Sequence, residues 1–113
     1  MRKISSLILS LVCSGFTLSA SAADDAKNCV TPPQIGKNPN CPNGNSARIH
    51  NRCDKPVDIK ICIRTTRDKW DCGVQWGVQP GGSWSYPSCF GTNEVVYDAR
   101  PAGSSRKFAN PDD

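Results

Sequence analysis

The chain has 113 residues, with 14 Lys and Arg against 10 Asp and Glu for a formal net charge of +4, and it carries seven Cys, nine Gly and nine Pro. That length holds one small domain, and a hydrophobic fraction of 37% excludes a polytopic membrane protein. Seven cysteines in so short a chain point to a disulfide scaffold made in an oxidising compartment, and away from a cytosolic enzyme.

Residues 1–22 read as a cleaved signal peptide. Arg2 and Lys3 form the positive start, Ile4 to Leu18 the apolar stretch, and Ala20-Ser21-Ala22 the small-residue cleavage pattern. Ser10, Ser14 and Gly15 break the apolar run, so it is too short for a retained anchor. Cys13 follows Val12, where lipoprotein signals carry a small residue, so a lipid anchor is not expected. Cleavage removes Arg2, Lys3 and Cys13, lowering the net charge from +4 to +2 and leaving six cysteines. An even number suits three disulfides among Cys29, Cys41, Cys53, Cys62, Cys72 and Cys89, with the pairing open. The signal looks bacterial and places the mature protein in the periplasm or outside the cell. There is no C-x2-C pair and only one histidine, His50, so neither a metal site nor a cofactor is expected.

Residues 23–46 read as an irregular arm, because Pro and Asn/Gly turn signals recur throughout (Pro32-Pro33, Gly36, Pro39, Pro42-Asn43-Gly44). Residues 47–102 read as a disulfide-stapled β domain. Val57 to Arg64 alternates β-branched and polar residues, Trp70 to Val78 alternates as strictly, and shorter strands follow at Ser83–Tyr86 and Glu94–Ala99. No segment has a helical period. The expected register is the one that gathers the apolar residues on one face. A hairpin closed over Asp54-Lys55-Pro56 sets Asn51 opposite Ile59 and Ile49 opposite Ile61. A second sets Ile63 opposite Trp70, Ile61 opposite Cys72 and Val57 opposite Trp76. These registers predict buried Trp70 and Trp76, Cys53 and Cys72 pointing inward, and Cys62 outward beside Arg48. A Cys62–Cys72 bridge belongs to the alternative register, which a bulge at Gly73 could reconcile with the shared apolar face. Residues 103–113 read as a flexible tail. The expected class is all-β, a small antiparallel meander or sandwich stapled by disulfides.

The same registers place Arg48, His50, Arg52, Lys60 and Arg64 on one wet sheet face, with Arg52 opposite Asp58. Such a cluster makes a local positive field, suited to an anionic glycan, lipopolysaccharide or an acidic protein; nucleic acid is set aside as a partner. The competing reading is a merely solvated face. Trp84, beside the Pro80-Gly81-Gly82 turn, is the aromatic expected to be exposed. Catalysis is not expected: every mature cysteine is committed to a bridge, and Glu94 is the only glutamate beside the single His50. A small ribonuclease using His50 and Glu94 is the remote alternative.

Ile49-His50-Asn51-Arg52-Cys53-Asp54-Lys55-Pro56-Val57, followed by Pro80-Gly81-Gly82-Ser83-Trp84, resembles the opening strands of thaumatin-like proteins. The chain also looks like small exported Cys-rich bacterial proteins of unassigned function. The resemblance implies a sandwich-like all-β architecture and contact with glycan or envelope. The acidic cleft of thaumatin-like proteins has no counterpart motif here, so no active residues carry over. The expectation is therefore an exported non-catalytic binding module. An inhibitor of another protein such as a hydrolase, presenting the Thr65–Lys69 hairpin tip, is the alternative.

Overall fold

The computed structural model describes residues 25–112; the expected signal peptide and Cys13 lie outside them. Among the described residues there is no helix. The strands are β1 (Gln34–Asn38), β2 (Cys41–His50), β3 (Val57–Thr65), β4 (Trp70–Val78), β5 (Ser83–Ser88) and β6 (Gly91–Pro101). They form two three-stranded antiparallel sheets, ordered β1-β2-β5 and β4-β3-β6. The expected all-β class is therefore the one adopted, and β3 to β6 contain the four strands predicted between 57 and 99.

Alternation builds the core. Ala47 and Ile49 of β2 and Val57, Ile59, Ile61 and Ile63 of β3 are buried, with Val78 and Ala99 beside them. Burying an isoleucine side chain contributes about 1.5–3 kcal/mol, so the four isoleucines dominate this small interior. Three disulfides, Cys29–Cys53, Cys41–Cys89 and Cys62–Cys72, tie it together.

Pairing departs from expectation in two places. First, β2 and β3 do not form a hairpin: β2 lies between β1 and β5, and β3 lies between β4 and β6. Each is the central strand of its own sheet, and their isoleucines meet face to face across the core instead of side by side. Alternation specifies which face is buried, and either arrangement satisfies it. Second, β3 and β4 pair one residue away from the predicted register, with Cys62 opposite Cys72 and Arg64 opposite Trp70. One step inverts every side chain, so Trp70, Cys72, Val74 and Trp76 share the outer face with Lys60, Cys62 and Arg64. Trp76 is 60% exposed instead of core, whereas Cys62 is buried.

The inner face of β4 is thereby left to Asp71, Gly73 and Gln75. Gly73 is not a bulge; a Cβ there would stand 2.3 Å from Cε1 of Tyr86, so its bare backbone is what lets that ring lie on the strand. The Tyr86 hydroxyl donates to Asp71 Oδ1 at 2.6 Å, with the Cys72 carbonyl 3.1 Å away. Burial, then the hydrogen bond and charge of Asp71, push the phenol up to about 12. The bulge lies further along, between Ile59–Gln75 and Val57–Val78, where Asp58 faces both Trp76 and Gly77. Gly77 takes the left-handed φ of 66° there, and its amide donates to Asp58 Oδ1 at 2.9 Å.

Both ends of the domain are more ordered than expected. The arm supplies β1 and the first half of β2, joined by the two-residue turn Pro39-Asn40, so the sheet begins at residue 34. The prolines do not prevent this because Pro39 lies in the turn and Pro42 has no partner in either ladder, so neither removes a ladder hydrogen bond. Residues 104–112 are strapped across the outer face of β4-β3-β6. Arg106 grips Asp98 through both guanidinium nitrogens at 3.0 Å, the Ala109 amide donates to the same carboxylate at 2.8 Å, and Trp70 Nε1 donates to Asp112 at 3.1 Å.

Candidate functional site

The five basic residues expected on one face divide between two. Arg48 and His50 alternate with the buried Ala47 and Ile49 along β2, and so face outward from the β1-β2-β5 sheet. Arg52 lies just beyond β2, after the buried Asn51, and is exposed. At about 3.4 Å per residue, the stretch from Arg48 to Arg52 is roughly 14 Å long. Lys60 and Arg64 lie on the opposite outer face and are engaged there. Lys60 Nζ donates to Asn110 Oδ1 at 3.0 Å. Arg64 pairs with Asp68 and covers the Trp70 ring at 5.1 Å. Asp58, expected opposite Arg52, pairs instead with Arg100 at 3.2 Å.

Cross-strand register makes the outer face of β1-β2-β5 explicit. One row is Gln34–Arg48–Ser85, the next Gly36–Ser46–Pro87, and His50 stands opposite Ser83. Small residues at 36, 46 and 85 leave a groove of about 480 Å³, lined by residues 34–40 (Ile35 and Lys37 among them), Ser46, Arg48, Ser85 and Pro87. Strands β1, β2 and β5 contain no Asp or Glu at all. Among the described residues Arg48, His50 and Arg52 take part in none of the three ion pairs. The Arg48 side chain bonds only to the neutral Ser83 hydroxyl, Nη1 to Oγ at 3.3 Å.

Trp84, expected beside this face, is not part of it. It stands opposite Ile49 on the inner side of β5, packed on the core and 5.7 Å from the Tyr86 ring. The exposed tryptophan is Trp76, whose ring is approached by Arg100 at 5.4 Å and Phe108 at 6.1 Å. His50 and Glu94 are not brought together. Asn93 hydrogen-bonds Asn45, and five residues of extended β2, roughly 17 Å, separate Asn45 from His50.

Comparison of the chain with protein-family models, curated proteins and solved structures returns no match. The site is therefore read from its geometry. Among the described residues no group of three His, Cys, Asp or Glu could hold a metal ion. Gln34, Gly36 and Ser46 escape the sequence reading because residues 23–46 read as an arm, and Ser85 because the expected strand at 83–86 was not set beside β2. The available signal was Ile35 flanked by polar residues ahead of a Pro39-Asn40 turn, a short edge strand that five residues of alternation barely announce.

Proposed function

We propose that this protein is a non-catalytic binding module, periplasmic or secreted, that meets an anionic partner through Arg48, His50 and Arg52. The carrying observation is the charge division: the three strands that carry Arg48 and His50 hold no carboxylate, while the other sheet holds Asp58, Asp71, Glu94 and Asp98. Guanidinium groups without counter-charges leave their field to a ligand. Three disulfides suit an oxidising compartment, and no described helix is long and apolar enough to cross a membrane. Heparin retention tests the reading. Replacing Arg48 and Arg52 by Ala should reduce the slope of log affinity against log salt by roughly two. Replacing the exposed Lys69 and Lys107 should leave it nearly unchanged. Equal losses from the two pairs would mean that binding follows net charge and not this face.

A second reading rests on the β3–β4 hairpin tip. The Thr65 amide donates to the Lys69 carbonyl at 2.8 Å and the Asp68 amide to the Thr65 carbonyl at 3.0 Å, so the tip is held in one shape. Arg67 stacks 4.4 Å over Phe90, itself 49% exposed. An ordered Arg–aromatic pair is characteristic of protein-binding hot spots and suits an inhibitor. Replacing Arg67 and Phe90 by Ala would then abolish capture of a protein target without altering heparin retention.

A further inference from the structure

The geometry points to an acidic glycan, a narrow chain bearing uronate or sulfate groups, as the ligand of the groove beside Arg48. This deepens the anionic-partner reading and rests on it. The groove has two chemistries in one place. Arg48 presents a planar fork that matches a carboxylate or sulfate in two-point fashion. Around it Gln34, Asn40, Ser46 and Ser85 carry neutral amides and hydroxyls that both donate and accept, which is what a hydroxyl-rich chain requires on either side of its charge. No aromatic side chain lines the groove, so it has no platform for stacking nucleobases or for holding an uncharged sugar ring by its face.

Gly36 provides the decisive variant. A Cβ built there meets nothing within 4 Å and its φ is not positive, so Gly36→Phe fills the groove while leaving the strand and every charge intact. The oxidised mature protein would be titrated with three probes of matched charge: an oligogalacturonate, a heparin oligosaccharide and polyglutamate. The expected result is at least tenfold tighter binding of one or both glycans than of polyglutamate, an advantage that Gly36→Phe removes. If only one glycan shows it, the anion is thereby assigned as carboxylate or sulfate. Equal affinity for all three, weakened alike by Arg48→Ala, would overturn the glycan assignment and leave the anionic reading standing. A glycan advantage that survives Gly36→Phe would overturn the groove as its location. Binding of none of the probes would overturn the anionic reading, and this inference with it.

Discussion

Asn51 is fully buried, and all its polar groups are used. Its Nδ2 donates to the Lys55 and Val78 carbonyls, each at 2.9 Å, and its Oδ1 accepts from the Cys53 amide at 2.8 Å. Its backbone exchanges hydrogen bonds with Gly81 and Gly82 at 2.9 and 2.8 Å. One residue thus joins the crossover between the sheets to the end of β4 and the Pro80-Gly81-Gly82 turn. Asn51→Ala would strand two carbonyls and an amide away from water. We expect it to cost about 2–4 kcal/mol, measured by urea unfolding of the oxidised protein. Asn51→Asp should cost at least as much, because it faces two carbonyls with a carboxylate. The alternation turns this Asn toward the apolar face but does not name its partners, which lie 2 to 31 residues away.

At the level of elements, the strands from Val57 onward were legible, while β1, the first half of β2 and the strand neighbours were not. Four isoleucines and valines spaced by two announce β3 wherever it sits, but the choice between two registers with Trp70 turned on which face of β4 is apolar. The tryptophans face outward because Tyr86 occupies the inner side over Gly73, and because the C-terminal strap covers part of the outer side. That strap hangs on Asp98. Burial alone would raise the Asp98 pKa, but hydrogen bonds from Arg106 and Ala109, the Arg106 charge and the Ala99 amide outweigh it and hold the carboxyl below the ordinary range. A depressed value means that Asp98 binds its proton more tightly when the strap is detached than when it is docked. Docking is therefore at full strength above about pH 4, the ordinary carboxylate value, and is lost as pH falls through the lower docked value. The Ala109 amide resonance should report this release on acidification. In Asp98→Asn the amide should lose its protection from hydrogen exchange already at neutral pH.

For the whole molecule, the cysteines carry what the small core cannot. The bridges close loops with separations of 24, 48 and 10 residues. Chain entropy makes the longest loop the most valuable, so replacing Cys41 and Cys89 by Ala should destabilise more than replacing Cys62 and Cys72, by about 1–1.5 kcal/mol. Paired urea titrations would check this, and the reverse order would show that packing around Cys62 outweighs loop closure. Composition and two-residue periodicity determined the class, the strands between 57 and 99 and the set of six bridging cysteines, because these depend on local pattern and on counting. Only the tertiary structure decided which strands neighbour one another, and with that the split of the five basic residues between opposite faces. The physical reason is that a two-fold alternation says which side of a strand avoids water, and is silent on whether the surface it meets belongs to a neighbour in the same sheet or to the facing sheet.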